Sequence, residues 1–242
     1  MLRGPLLMIV LAFGALLTLV AFNSHWIRVE TVQINLAKGS TQDLLFQRIR
    51  ASLTQQLKNY EGRYFWQVPL KSVLEVTRRD RRVKSAAIYR EFPSRLRVEI
   101  EPHTPILAYL SSDGRIYPVA TDATLLPPLP ITETPDLPFL RGEDLKDEPL
   151  LREKILELFG ALPELGLIRK SSISEIVYTK KDGIKLFISG TQAEIKLGDA
   201  DFGPKISRAQ KVLTYLDSRN IKGRVIDARF SKKVVVRVRN TP

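Results

Sequence analysis

The pattern of hydrophobic and polar positions begins with an uncharged apolar run over residues 5–22, and no second run of this kind follows. Its roughly 18 residues, at about 1.5 Å each, make a helix of about 27 Å, close to the ~30 Å hydrocarbon core of a bilayer. Trp26, just beyond the run, is typical of the interface between membrane and water. We therefore predict a transmembrane helix over residues 6–26.

A cleaved signal peptide is the alternative interpretation of this run. Signal peptides have a shorter apolar region, usually about 7–15 residues, followed by small residues at the cleavage site. Here Phe22 puts a bulky ring where a small side chain is needed. The uncleaved anchor is the preferred interpretation. Arg3 and Arg28 flank the run almost symmetrically, so the charges leave its orientation open.

After the anchor, the periodicity changes between that of strands and that of helices. Alternating apolar residues predict a strand at 32–36, and a stripe with a spacing of four predicts a helix from Leu45 to Leu57. Pro69 suits the first turn of a second helix. Two further alternating stretches, 83–90 and 96–101, predict strands. The predicted order is strand, helix, helix, strand, strand.

The second half of the chain begins with a proline-rich stretch, residues 118–138, which we interpret as extended chain wrapping an edge. A helix is predicted at 147–162 and a second one at 204–217. Short apolar runs separated by turn residues predict strands at 173–178, 184–189, 193–197, 225–230 and 233–238, the first three as an antiparallel meander. The predicted fold class is α+β.

Composition adds little evidence for catalysis. The net charge of +12 permits contact with nucleic acid or anionic lipid but establishes neither, and the absence of cysteine excludes disulfides and thiolate chemistry. Neither His25 nor His103 has a recognisable nucleophile or orienting group in the sequence. There is no glycine-rich phosphate loop and no zinc-protease motif. We expect no catalytic residues, no cofactor and no metal.

The last predicted strand has valine at every second position and strong β propensity. A terminal strand is often a sheet edge, with unpaired backbone N–H and C=O groups. Its lysine and arginine residues could guard this edge against aggregation, or the edge could accept a strand from a partner protein. The pattern alone leaves both interpretations open.

Three motifs, in order behind the anchor, resemble the FtsQ/DivIB family of bacterial cell-division proteins. The first runs from Arg90 to Glu101 and continues into Pro105-Ile-Leu-Ala. The second combines Asp113-Gly-Arg-Ile-Tyr with residues 137–142. The third is Ile195-Lys-Leu-Gly, a lysine-containing helix, and then Ile226-Asp-Ala-Arg-Phe. The resemblance covers nearly the whole chain.

The resemblance implies a short cytoplasmic tail (1–5), the transmembrane helix (6–26), a POTRA domain (28–110) of order β-α-α-β-β and an FtsQ-type, mainly antiparallel β domain with flanking helices (111–242). It implies a single-pass inner-membrane protein whose C-terminal domains lie in the periplasm at the division septum. Such a protein is a scaffold that binds FtsB-like and FtsL-like partners, with no nucleic acid and no small-molecule substrate. The alternative is a POTRA-containing component of outer-membrane assembly or secretion.

The resemblance also nominates a partner-binding edge at the end of the chain. Phe230 corresponds to the family's interface aromatic and Arg229 to its basic neighbour, while Lys180 and Lys181 fall near a basic pair that engages acidic partner groups. The remaining candidate residues follow Phe230 along the chain: Ser231, Lys232, Lys233, Val235 and Arg237.

Overall fold

The computed structural model describes residues 8, 10–16, 18–19, 28–37, 44–142, 144–190, 193–221 and 223–238. About half of the predicted transmembrane segment, 6–26, therefore lies outside the described residues. Those of its residues that are described form helix and are exposed. Among the described residues, no helix has both the length and the apolar character needed to cross a membrane.

The chain divides into two compact units, the first ending at His103 and the second beginning at Thr104. The first unit has the predicted order of elements. They are β1 (Thr31–Leu36), α1 (Leu44–Leu57), α2 (Leu70–Arg79), β2 (Val83–Glu91) and β3 (Arg95–Pro102), with a 3₁₀ turn (Lys58–Tyr60) after α1.

Strand β3 is the centre of the first unit, pairing in parallel with β1 and antiparallel with β2. Its inward-facing residues Leu96, Val98 and Ile100 are fully buried, because alternate side chains of a strand point to the same face. The predicted stripe of α1 covers that face, and Ile49 and Leu53 belong to the same core.

The second unit contains one eight-stranded sheet and two long helices. Its elements are β4 (Pro105–Leu110), β5 (Ile116–Ala120), β6 (Phe139–Arg141), α3 (Pro149–Ala161), β7 (Ile173–Thr179), β8 (Gly183–Ile188), β9 (Glu194–Gly198), α4 (Phe202–Ser218), β10 (Gly223–Asp227) and β11 (Val235–Val238), with 3₁₀ turns at Ile131–Glu133 and Lys170–Ser172. The strand order is β11-β10-β9-β8-β7-β6-β4-β5.

The predicted α+β class is confirmed, with a mainly antiparallel sheet. Strands β7, β8 and β9 form the predicted antiparallel meander. The pairs β4/β6, β6/β7 and β9/β10 are parallel, and the helices lie in the connections β6–β7 and β9–β10. Parallel neighbours need long connections of this kind, which a helix supplies.

The register of the sheet separates a core face from an open face. One row of paired residues crosses seven strands on the core face: Tyr109, Leu140, Ile176, Leu186, Ile195, Ile226 and Val236. All but Val236 are buried, and residues of α3 and α4 pack in the same cluster. The neighbouring positions on each strand point to the open face, where charged residues are frequent.

The β5 end of the sheet is covered by the proline-rich segment, as predicted. Leu125 and Leu129 form isolated bridges to β5, and the Leu126 amide donates to the Pro118 carbonyl at 2.9 Å. The side chain of Leu126 is 2% exposed. Since this segment supplies backbone partners, strand β5 does not present a free edge to solvent along these positions.

The observed division of the chain differs from the predicted boundary at residues 110–111. The predicted first domain, 28–110, includes the residues of strand β4. That strand pairs with β5 and β6 in the eight-stranded sheet, so the second unit begins before it, at Thr104.

Candidate functional site

Strand β11 is the last strand of the sheet, as predicted for the end of the chain, and β10 is the only described strand that pairs with it. Asp227 lies opposite Val235, and Val225 lies opposite Arg237. Val236 packs partly against the core, whereas Val235 is 46% exposed. No described residue supplies strand pairing to the outer side of β11, which leaves backbone groups there available to another strand.

The strand before it ends earlier than predicted, and this places Phe230 in a bend. The predicted strand 225–230 ends at Asp227, because the Asp227 carboxylate accepts a hydrogen bond from the backbone N–H of Arg229 at 3.2 Å. An aspartate that bonds the backbone two residues on favours a turn over a continued strand. The chain then crosses from β10 to β11 through residues 228–234.

Phe230 is held by its backbone and leaves its ring at the surface. Arg208 of α4 donates to the Phe230 carbonyl at 3.0 Å, and the preceding Ala228 is buried, with its amide bonded to the Lys196 carbonyl. The ring itself is 44% exposed, and the Lys233 ammonium lies 5.3 Å from its centroid. An aromatic ring on a fixed backbone is suited to act as an anchor at a protein interface.

Arg229 was predicted as a basic group that contacts a partner, but the structure pairs it within the chain. Its guanidinium donates to the Asp227 carboxylate, with Nη2 to Oδ2 at 2.7 Å, and its Nη1 donates to Asp182 Oδ1 at 2.9 Å. The hydrogen bonds to Asp227 raise the pKa of Arg229 above its ordinary value. Arg229 therefore fixes the segment that carries Phe230.

Asp182 is the acidic centre of a charged cluster on the open face. Its carboxylate lies 2.7 Å from Lys185 Nζ, 2.9 Å from Arg229 Nη1 and 3.5 Å from Lys196 Nζ. The hydrogen bond from Lys185, together with the charges of Lys185, Lys196 and Arg229, lowers the pKa of Asp182 from 3.8 to about 2. The carboxylate stays ionised at any physiological pH.

The register explains why this acid is needed. Lys185 lies directly opposite Lys196, and Lys196 lies opposite Asp227. Two lysines directly across a sheet repel each other, so the pair is stable only with acidic neighbours. Asp182 and Glu194 supply them, with Glu194 at 3.6 Å from Lys185 and 3.8 Å from Lys196. Sequence reasoning missed this cluster; the alternation of Glu194, Ile195 and Lys196 along β9 was its signal.

The turn between β7 and β8, residues 180–182, carries Lys180 and Lys181. Lys180 is exposed and bonds Asp144 at 3.3 Å, which raises the pKa of the lysine. Lys181 is exposed and forms no ion pair with any described residue. Since Asp182 bonds Arg229, the structure brings this turn to the segment of Phe230. Ser231, Lys232 and Arg237 are also exposed at this end of the sheet.

A glycine contact holds this turn against β9. Gly183 has φ +68°, and a Cβ there would lie 2.7 Å from the Cα of Gly198. That backbone conformation and that close approach both require glycine. Among the described residues, the site included, no group of three or more histidine, aspartate or glutamate side chains could hold a metal ion.

An open edge strand beside an exposed aromatic defines a class of surface on which proteins bind an added strand. The family model described as "Cell division protein FtsQ/DivIB, C-terminal" matches residues 108–229, half of the chain. The chain belongs to the FtsQ/DivIB family of cell division proteins.

Curated relatives agree with this family. The chain is 25% identical over 191 residues to "Cell division protein FtsQ" of Geotalea daltonii, covering 73% of this chain and 66% of that protein. A protein of the same name from Geobacter sp. is 25% identical over 70% of this chain and 64% of its own length. That of Anaeromyxobacter sp. is 26% identical over 92% and 75%. The chain thus spans slightly less than two thirds of the first two relatives.

Proposed function

We propose that this protein is a non-enzymatic scaffold of the bacterial division machinery. It is a single-pass inner-membrane protein, anchored by residues 6–26, with residues 1–5 in the cytoplasm and both compact units in the periplasm at the septum. The family membership and the apolar N-terminal run support this proposal. The first unit faces other septal proteins, and the second unit binds FtsB-like and FtsL-like partners.

The observation that carries the binding proposal is the outer edge of β11, which no described strand pairs. An extended segment of an FtsB-like partner adds to this edge as a ninth strand. Such a segment forms main-chain hydrogen bonds that do not depend on the identity of its side chains. Selectivity must therefore come from side chains rather than from the backbone pairing. Backbone pairing contributes affinity, while the side chains around Phe230 select the partner.

The selecting groups are one aromatic ring and several cations. Phe230 presents its ring beside the edge, and Lys181, Lys232, Lys233 and Arg237 are exposed near the same end of the sheet. Arg229 keeps the aromatic segment in place through Asp227 and Asp182 rather than binding the partner itself. This charge favours a partner strand that is flanked by acidic residues.

Truncating Phe230 tests the proposal. We expect Phe230→Ala to weaken binding of an acidic FtsB-like segment by about thirtyfold, since aromatic anchors at interfaces contribute about 2 kcal/mol or more. Binding is measured by fluorescence anisotropy with the full chain in nanodiscs. The matched control is Tyr215→Ala, which removes another exposed ring of the same unit on helix α4.

The control variant should bind within about twofold of the parent, because a ring outside the interface contributes nothing to affinity. Circular dichroism checks that both variants are folded. A folded Phe230→Ala protein that binds as tightly as the parent would exclude this edge as the partner site.

A further inference from the structure

The first unit presents a cluster of aromatic side chains at one end, which the partner-binding edge does not use. We call Tyr64, Phe65, Trp66 and Phe92 the aromatic cluster. The Tyr64 and Trp66 rings are stacked with centroids 6.0 Å apart, and Phe65 meets Phe92 edge to face at 6.4 Å. Trp66 is 43% exposed and Phe92 is 78% exposed. Each of these two exposed rings packs on a second ring of the cluster, and large exposed apolar side chains of this kind mark an interaction surface.

The loop that carries three of these rings is held by backbone contacts. The guanidinium of Arg90 donates to the carbonyls of Phe65 at 3.1 Å, Trp66 at 3.4 Å and Val68 at 2.6 Å. Val68 is buried in the core of the unit. The rings are therefore presented on a fixed loop, next to the turn between β2 and β3 that contains Phe92.

The first described residues after the apolar run lie against this cluster. Arg28 forms an isolated antiparallel bridge with Tyr64, and its guanidinium lies 4.9 Å from the centre of the Tyr64 ring. The next residue, Val29, donates to the Arg63 carbonyl at 2.9 Å and accepts from the Gly62 amide at 2.8 Å. The chain therefore enters the first unit at the aromatic cluster.

Chain length then limits how far the cluster can be from the apolar run. Only residues 23–27 separate Phe22 from Arg28, so their Cα atoms are at most about 22 Å apart even in fully extended chain. Any helical continuation of the anchor shortens this distance further. If residues 5–22 span the bilayer, the aromatic cluster is confined to the neighbourhood of the lipid headgroups.

We propose that the aromatic cluster docks on the phospholipid surface and orients the first unit on the membrane. This rests on the membrane anchor of the proposed function. Tryptophan and tyrosine favour the headgroup region, where the ring is buried and its polar group stays hydrated. Arg28 and Arg63 add cations for lipid phosphates, while Glu30 and Glu61 at the same end limit the net charge.

Docking needs little intrinsic affinity, because the anchor holds the cluster beside its binding surface. A tethered group meets its site at a high effective concentration, so contacts too weak to recruit a free domain suffice. The rings supply the main contacts, and the surface should accept both zwitterionic and anionic lipids.

Tryptophan fluorescence of the full chain in vesicles tests this inference. The chain has two tryptophans, Trp26 and Trp66, so Trp26→Phe leaves Trp66 as the only tryptophan and Trp66→Phe leaves Trp26. Each variant is reconstituted in vesicles of phosphatidylcholine and phosphatidylglycerol, with or without lipids brominated in the upper acyl chain. We expect brominated lipid to remove about half of the Trp66 emission and to shift its maximum to the blue.

The matched control places tryptophan at the opposite end of strand β2. Lys84 is exposed and lies six residues before Arg90, about 20 Å away along the strand. Lys84→Trp, combined with Trp26→Phe and Trp66→Phe, should be quenched by aqueous acrylamide and not by brominated lipid.

The outcomes separate this inference from the anchor on which it rests. If Trp66 emission responds to acrylamide but not to brominated lipid, while Trp26 of the Trp66→Phe variant is quenched by brominated lipid, the docking is overturned and the anchor stands. If Trp66 is shielded from both quenchers, protein covers the aromatic cluster, and the docking is overturned. If brominated lipid quenches tryptophan at position 84 as strongly as Trp66, the first unit has another orientation on the membrane, and the docking is again overturned. Vesicles that fail to quench Trp26 remove the anchor and the docking together.

Discussion

The two edge strands of the eight-stranded sheet differ in whether another segment of the chain covers them. At one end, Leu125 and Leu129 bridge to β5, and all five residues of β5 are buried. At the other end, β11 has Val235 and Arg237 exposed, and no described strand pairs with its outer side. The chain covers one edge with its own proline-rich segment, whereas none of its described residues adds a strand to the other edge.

The difference indicates that the fold protects its two sheet edges in different ways. An exposed edge invites unwanted pairing, and proteins protect such edges with short strands, with charges or with covering chain. The β5 end uses covering chain. The β11 end has nearby cations at Lys232, Lys233 and Arg237, which discourage random pairing while remaining compatible with an acidic partner strand.

The largest expected effect comes from weakening the cover of β5. Leu126→Ala should lower the free energy of unfolding of the second unit by about 2–4 kcal/mol, since it leaves a cavity at a buried position. Val235→Ala at the opposite edge should change it by less than about 0.5 kcal/mol. Urea unfolding must be followed by circular dichroism, because Trp26 and Trp66 both precede the second unit.

Equal losses of stability in these two variants would contradict the contrast between the edges. A large loss at Val235 would mean that β11 is already covered in the free protein, and the edge would then be unsuited to binding a partner.

A smaller effect is expected from the charged cluster that holds the Phe230 segment. The pKa of Asp182 is about 2 in the folded protein, below its ordinary value of 3.8. Its contribution to stability is therefore complete above about pH 5 and is lost as the pH falls through 4 toward 2. Asp182→Asn should reduce the fall in stability across this window, while making the protein less stable than the parent at pH 7.

Urea unfolding at several pH values between 7 and 3 measures this difference. If the stability of the variant fell with pH in parallel with that of the parent, the pKa of Asp182 would not be lowered by folding. The same variant should also weaken partner binding, because Arg229 then loses one of its two carboxylate partners.

The smallest effect concerns the two lysines of the β7–β8 turn. Lys180 is bonded to Asp144, whereas Lys181 has no ion-pair partner among the described residues. We expect Lys181→Ala to slow association with an acidic partner by about threefold at low salt, and Lys180→Ala to slow it less, since Asp144 already offsets that charge. Stopped-flow association at two salt concentrations distinguishes them; a larger effect of Lys180 would reverse their assigned roles.

Much of the second unit could be predicted from periodicity, but its first strands could not. In the meander β7–β9 apolar residues recur at every second position, and in helix α4 they recur every three to four positions. Strand β6 has three residues, and β5 contains Pro118 and is buried at every position, so neither alternates. Their pairing depends on neighbours distant in sequence, as does the domain boundary at Thr104.

In the candidate site, too, some features could be predicted from the sequence and others could not. The terminal strand and the exposed aromatic at Phe230 follow from the alternation and the family resemblance, and the position of β11 as an edge is confirmed. The role of Arg229 did not follow, because its second carboxylate partner, Asp182, lies 47 residues earlier in the chain. The assignment of residues that contact a partner stays a prediction.

The sequence by itself determined the α+β class, the order of elements in the first unit and a final strand suited to an edge. These depend on periodicity and on turn residues, which act over a few neighbouring positions. Only the tertiary structure decided which edge the chain covers, which cations are already paired and that the ring of Tyr64 packs on Arg28. Those outcomes depend on backbone and charge contacts between segments far apart in sequence, and local pattern carries no record of them.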